Sequence, residues 1–267
     1  MAEFECRLCG SHESHVVVAF EDWLAFARTQ NDERKLVAGI VAGNEALRFG
    51  DVVQCRRCGL RSVERVPSAA DLTQFYREYY ANRKYSQKAD KKIRRASARV
   101  RRLQKRVPGG AFLDVGCNLG YAVEAARWAG FTATGIEIDP AAIAEAQRSF
   151  PLSEFICTSV EEMAATGRTF DLVYCTEVME HVPNITSFAD ALATLTKPGG
   201  WLYLTTPDAG HFRVPRDFKR WIEVKPPEHV TWFTKSQLAS LFEMRGFDTS
   251  FQWNLKPGLK MVAKRRG

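Results

Sequence analysis

Beyond residue 110, short apolar runs alternate with amphipathic stretches. The alternation predicts strands at Ala111–Val115, Ala133–Glu137, Glu154–Cys157, Phe170–Cys175 and Trp201–Thr205, with helices between them. A βαβα order of this kind means a parallel sheet covered on both faces, with ligands received at the carboxyl ends of the strands. The rhythm breaks near the end of the chain. A helix over Lys235–Arg245 stops at Gly246, and two strands, Asp248–Asn254 and Leu259–Lys264, flank Lys256-Pro257-Gly258, which predicts an antiparallel hairpin at the sheet edge. Upstream, Pro108-Gly109-Gly110 closes a segment in which Ile93, Val100, Leu103 and Val107 form one apolar stripe on an otherwise charged helix. That stripe has to dock on something. Asp71–Tyr80 has the cap and aromatic spacing of a short helix, and Glu21–Gly43 reads as helical as well.

With 267 residues, 45% of them hydrophobic and 26% charged, the chain carries apolar material for one ordinary domain and a smaller companion. Its punctuation divides it into an N-terminal module over 1–68, a helical linker over 69–107 and a main domain over 108–267. No apolar run approaches the roughly 20 residues of a membrane span. The first nine residues are acidic and hold two cysteines instead of a basic stretch followed by an apolar one, so a cytoplasmic protein is expected. The net charge of +7 is local: from Arg83 to Arg106 twelve residues are basic and one, Asp90, is acidic, which leaves the remainder slightly negative. Only that segment offers a nucleic-acid surface, and a solvated helix leaning on the main domain accounts for the same residues.

Four of the seven cysteines form two identical pairs, Cys6-Arg-Leu-Cys9 and Cys55-Arg-Arg-Cys58, each followed by glycine. Two thiolates three positions apart can grip one zinc ion, and the glycine lets backbone amides turn toward the sulfurs, so two such knuckles complete a tetrahedral structural site. A redox dithiol is the weaker alternative. Four protein ligands leave no open position for a substrate water. The 45 intervening residues are long for a ribbon and are expected to hold an inserted helix. Cys117, Cys157 and Cys175 stand alone in apolar surroundings, and buried packing is expected for each.

The first strand of the main domain runs through Asp114-Val115 into Gly116-Cys117-Asn118-Leu119-Gly120. A glycine-rich turn between strand and helix lets a ligand approach the backbone. The spacing does not meet the dinucleotide fingerprint, which argues against NAD. Glu137, closing the second strand, is placed to accept hydrogen bonds from both hydroxyls of a ribose. In these stretches, and in Glu137-Ile138-Asp139, Ser159-Val160-Glu161-Glu162, Phe170-Asp171-Leu172-Val173 and Lys197-Pro198-Gly199-Gly200, the chain resembles the class I S-adenosylmethionine-dependent methyltransferases. Asn118 departs from the family's usual glycine, but asparagine tolerates left-handed backbone angles. The resemblance implies that Gly116, Cys117 and Gly120 cradle the methionine part of the cofactor, that Asp114 orders the turn and the amino group, and that Glu137 holds the ribose. Ile138, Val160 and Glu161 would meet the adenine, with Thr176 at the end of the fourth strand.

Two further stretches narrow the resemblance. Thr176-Glu177-Val178-Met179-Glu180-His181-Val182 looks like the motif of ubiquinone-type O-methyltransferases; on a helix Glu177, Glu180 and His181 share a face, which could bind magnesium, orient a base or buttress the domain. Pro227-Glu228-His229-Val230-Thr231-Trp232-Phe233 resembles the Glu-His-x-x-x-Phe signature of small-molecule methyltransferases, including sugar C-methyltransferases with an N-terminal zinc module. Methyl transfer needs alignment of the reactants and removal of the acceptor's proton. His229, with Glu228 setting its tautomer, is the first candidate base and His181 the second. His211 lies in the long segment from Asp208 to Thr234, the expected cover of the acceptor. Tyr76, Tyr79 and Tyr80 resemble a tyrosine-rich stretch that reaches the active site in zinc-bearing relatives; packing against the sheet is the plain alternative.

The expected architecture is therefore α/β: a Rossmann-like, doubly wound seven-stranded methyltransferase sheet with a reversed terminal hairpin, plus a small N-terminal zinc ribbon. The expected function is methyl transfer from S-adenosylmethionine to a small polar acceptor, such as a nucleotide sugar or another biosynthetic intermediate. A ribosomal RNA methyltransferase that binds RNA through the ribbon and the basic helix is the first rival. A non-enzymatic zinc- and cofactor-binding module is the second.

Overall fold

The computed structural model describes residues 4–81 and 89–267. Arg83, Lys84 and Lys88 of the basic segment and the side chains of Tyr76, Tyr80 and Asp90 lie outside the described residues. The main sheet is built from β4 (Gly110–Val115), β5 (Phe131–Glu137), β6 (Glu154–Cys157), β7 (Phe170–Thr176), β8 (Thr196–Pro207), β10 (Phe247–Phe251) and β11 (Gly258–Arg265). Their order is β10-β11-β8-β7-β4-β5-β6, and β11 runs antiparallel to both of its neighbours. Strands β4 to β8 are mutually parallel. The chain walks outward from β4 to β6 and then returns to the other side of β4. This reversal opens a crevice beyond the carboxyl ends of β4 and β7.

Helices α5 (Tyr121–Trp128), α6 (Pro140–Ser149), α7 (Val160–Ala165), α8 (Ile185–Leu195) and α9 (Lys235–Glu243) cover the sheet. Their starts follow local chemistry. Asp139 caps α6 ahead of Pro140, and Ser159 with Glu162, like Thr234 with Gln237, forms a reciprocal capping box. The linker supplies α3 (Ala69–Ala81) and α4 (Ala89–Gln104). Most of the predicted stripe docks: Val100, Leu103 and Val107 are buried against Phe112, Val123 and Phe131, with Ala96 in place of Ile93, which is only half-buried.

The N-terminal module holds β1 (Ser14–Val18), β2 (Val52–Cys55) and β3 (Arg61–Val63), with α1 (Phe20–Ala27) and α2 (Asp32–Gly43) inserted between β1 and β2. Two helices stand where the sequence reads as one, because Asn31 breaks the run and caps α2 by accepting from the Arg34 amide at 3.0 Å. A fourth strand, β9 (Thr231–Trp232), joins this sheet by pairing with β3. Phe218, Trp221 and Trp232 of the late segment then share one core with Trp23, Phe49, Phe75 and Tyr79. The module is thus completed by residues about 170 positions away in sequence. Cys117 and Cys175 are buried as expected, but Cys157 is exposed because it is the last residue of the edge strand β6. Among the described residues no helix is long and apolar enough to cross a membrane.

Candidate active site

The turn after β4 is shaped by three left-handed residues. Gly116 has φ of +72°, Asn118 +48° and Gly120 +79°. A Cβ at Gly116 would sit 2.6 Å from Val178 Cγ2, so the position excludes any side chain. Asn118 supports its own conformation by accepting from the Leu119 amide at 2.8 Å. The Glu137 carboxylate bends back over this turn and accepts from the amides of Asn118 at 3.2 Å and Ile138 at 2.8 Å. Beneath it Asp114 is buried, and burial, reinforced by the charge of Glu137, lifts its carboxyl well above the usual range. Burial also pushes the Cys117 thiol up. Ile138 leaves 74% of its surface uncovered at the lip. Val160 is buried in the first turn of α7, Glu161 is exposed beside it, and Thr176 ends β7.

The segment after β7 departs from the helix expected there. Glu177 takes a left-handed φ of +57°, and only a single 3₁₀ turn follows, Met179–His181. Glu177, Glu180 and His181 therefore do not share a helical face. The hydroxyls of Thr205 and Thr206 on β8 donate separately to Glu177 at 2.6 Å and to Glu180 at 2.9 Å. Glu180 is fully buried, its carboxyl is raised well above the usual range by burial and then by Glu177, and among the described residues its Oε1 has no hydrogen-bond partner. His229 stands beside it in space: the His181 and His229 rings meet edge to face with centroids 4.7 Å apart. One ligating atom of each of Glu180, His181 and His229 lies within 4.8 Å of the others.

Both imidazoles are held in a defined form. His181 Nδ1 lies 2.7 Å from the Glu228 carbonyl and His229 Nδ1 lies 2.9 Å from the Glu223 carbonyl. A carbonyl only accepts, so each Nδ1 carries the proton and each Nε2 keeps its lone pair. The backbone of Glu223, not the side chain of Glu228, sets the tautomer of His229; Glu228 acts through its carbonyl on His181. Burial lowers His181 to about 4 and His229 well below the ordinary imidazole range. A group that the unfolded chain protonates first gives stability that is full above about pH 6.5 and lost as pH falls toward 4, here about 3 kcal/mol for His181. Urea midpoints measured from pH 7 to 4 are expected to fall more steeply for the wild type than for His181→Gln. Equal slopes would show that His181 is not buried neutral.

The other candidates lie elsewhere. His211 Nε2 meets the Asn254 carbonyl at 3.3 Å, near the turn before β11, and its ring stacks on Phe212. Tyr79 is fully buried, stacks on Phe75 and donates to Glu33 at 2.6 Å, so it packs the core of the N-terminal lobe. Arg99 was not singled out by sequence reasoning. It projects from α4 to Tyr174 at 3.4 Å; burial opposes its charge, but Tyr174, then Tyr203 and Glu177, outweigh that and hold the guanidinium protonated. The signal was its place on the face that also carries Ala96 and Leu103. Glu223 and Arg7 carried no local signal at all.

At the other end of the module the four cysteines converge. Cys6 Sγ lies 3.5 Å from Cys58 Sγ and Cys9 Sγ lies 3.6 Å from Cys55 Sγ, and all four sulfurs fall within 4.8 Å of one another. Zinc–sulfur bonds of about 2.3 Å place tetrahedral sulfurs about 3.8 Å apart, so the cluster fits the ion. The knuckles have the same build: Gly10 N–H donates to the Cys6 carbonyl and Gly59 N–H to the Cys55 carbonyl, with φ of +67° and +73°. At Cys55 burial opposes ionisation, but the amides of Cys58 and Arg57 outweigh it and bring the thiol to about 7.

The strand order, the reversed β11, the glycine turn after β4 and the acid closing β5 define a Rossmann-like methyltransferase fold. The chain belongs to the family described as "Methyltransferase domain", whose match spans residues 81–250. A ubiquinone biosynthesis O-methyltransferase of Chromobacterium violaceum is 37% identical over 106 residues, 38% of this chain and 45% of that protein. One from Hahella chejuensis is 32% identical over 160 residues, 52% of this chain and 67% of that protein. The chain spans about half the length of the curated relatives it matches first. Among solved structures, a magnesium protoporphyrin IX methyltransferase of Synechocystis with bound SAH is similar, with TM-score 0.52 and 18% identity, over 74% of this chain and 95% of that one. At that identity the likeness concerns the fold.

Proposed function

We propose that this protein transfers a methyl group from S-adenosylmethionine to a small polar acceptor, with His229 as general base and His181 beside it. The observation that carries the reading is the Glu137 carboxylate folded over the left-handed Gly116–Gly120 turn at the carboxyl ends of β4 and β5. The turn admits the cofactor's backbone-hugging methionine end, Glu137 faces its ribose, and exposed Ile138 offers the adenine an apolar lip. The cofactor supplies a methyl group activated on a sulfonium. His229 keeps an unprotonated Nε2 at neutral pH, because its Nδ1 proton is committed to the Glu223 carbonyl and burial disfavours a second one. A base weakened in this way suits an acceptor whose own proton is acidic, such as a phenol or a carbon next to a carbonyl.

The four-thiolate cluster supports a structural zinc with no open position. The RNA alternative rests on the exposed cations of the basic helix alone, and Arg99 of that helix turns inward to Tyr174. Calorimetry with S-adenosylhomocysteine is expected to show binding, and a tritiated-methyl screen is expected to label phenols or nucleotide sugars and to leave total RNA unlabelled. Absence of heat from an intact fold would overturn the cofactor assignment, and label in RNA would overturn the acceptor class.

A further inference from the structure

The first cysteine knuckle does more than fold its own module. Arg7, between Cys6 and Cys9, sends its guanidinium across to the late segment, where Nη1 donates to the Val230 carbonyl at 3.1 Å and Nη2 to the Val63 carbonyl at 2.9 Å. Val63 N–H donates to the same Val230 carbonyl at 3.0 Å. Val230 N–H in turn donates to the Glu180 carbonyl at 2.8 Å. Both backbone groups of Val230 are therefore committed, one to the turn that carries His181 and one to the cysteine module. Val230 follows His229 directly. On its other side His229 is held by the Glu223 carbonyl, which also accepts from Trp232 Nε1 at 2.8 Å.

We infer that Arg7 is a positioning residue for methyl transfer, tying the four-cysteine centre to the peptide that seats His229. The inference rests on the reading of His229 as the base. Arg7 touches neither His229 nor the cofactor crevice; it acts through the Val230 carbonyl. A planar guanidinium with a fixed fork suits the task, because it spans the carbonyls of two segments, Val63 and Val230, and holds their separation. The knuckle turn fixes where the fork starts. The Thr186 hydroxyl, donating to the Arg7 carbonyl at 3.3 Å, ties the same residue to α8. Metal loss at the cysteines would then disturb the acceptor side of the site while leaving the Gly116–Glu137 turn in place.

The test is nitrogen-15 NMR of the His229 ring on the full chain, with the resonance assigned by its loss in His229→Gln, together with amide exchange at Val230. Emission from the buried Trp23, Trp221 and Trp232 gauges the fold independently of any cofactor. In Arg7→Met with native emission, the single Nδ1–H tautomer of His229 is expected to give way to the mixed tautomers of a free imidazole. Exchange at Val230 is expected to accelerate by roughly tenfold or more, as for a lost hydrogen bond to a charged group. Arg7→Lys, which reaches one carbonyl at a time, is expected to fall between, and it decides the matter alone if Arg7→Met does not fold. Wild-type tautomer and wild-type exchange in the folded variants overturn the inference. These signals are read without cofactor, so a wild-type chain that binds no S-adenosylhomocysteine would sink the methyltransferase reading separately.

Discussion

Glu137→Ala is expected to weaken S-adenosylhomocysteine binding by roughly a hundredfold to ten-thousandfold. Two hydrogen bonds to an ionised carboxylate are worth about 1.5–3 kcal/mol each, and each 1.4 kcal/mol is a factor of ten. The same carboxylate also accepts from the amides of Asn118, Ile138 and Asp139, so its loss loosens the turn as well as the ribose contact. Glu137→Gln keeps the shape and an acceptor oxygen but lacks the charge, and is expected to lie between. Isothermal calorimetry reads all three proteins, and urea midpoints show whether the fold survives. Wild-type affinity in Glu137→Ala would mean that the turn after β4, with Glu137 at the end of β5, does not hold the cofactor.

Cys55→Ser is expected to abolish zinc binding, from one ion per chain to none, and to open the N-terminal module. Structural zinc sites in small domains contribute on the order of 10 kcal/mol at neutral pH. This module also has an apolar core of its own around Trp23, Phe49, Tyr79 and Trp232, so part of its order is expected to outlast the ion. The readouts are metal content and tryptophan emission. Trp23, Trp221 and Trp232 are each at most 3% exposed and share this core, so its opening shifts emission to the red. Affinity for S-adenosylhomocysteine is expected to hold, because the glycine turn is formed by β4, β5 and α5. Unchanged emission with no metal bound would mean that the ribbon stands without zinc.

These expectations rest unequally on sequence and on structure. The glycine turn was legible because left-handed backbone is a local demand, met by Gly116, Asn118 and Gly120 whatever surrounds them. Glu137 was legible because strand period places the last residue of β5 at the crevice. The knuckles were legible because four sulfurs in two C-x-x-C turns announce their chemistry within a few residues. Three of the four residues read as the α4 stripe, Val100, Leu103 and Val107, are buried, because their burial follows from period; Ile93, nearer the start of the helix, is only half-buried. By contrast, the motif at Glu177–His181 has helical spacing and forms no helix, because the hydroxyls of Thr205 and Thr206 on the neighbouring strand capture Glu177 and Glu180 one by one.

The seat of His229 shows where local pattern stops. Strand β9 is two residues long and has no period to read; it exists because β3 offers it a free edge. Glu223 and Arg7 act on the histidine through carbonyl oxygens, which every residue possesses and no side-chain pattern can mark. By itself the sequence determined the order of strands along the main sheet, the glycine turn and the cysteine centre, all of which depend on short-range backbone preference and on side-chain chemistry. Only the tertiary structure decided which groups meet across 170 or more residues, such as Arg7 with the Val230 carbonyl, and which carbonyls hold the two imidazoles and in which tautomer. Such pairings are settled by the need to satisfy buried polar groups wherever the packed chain leaves them.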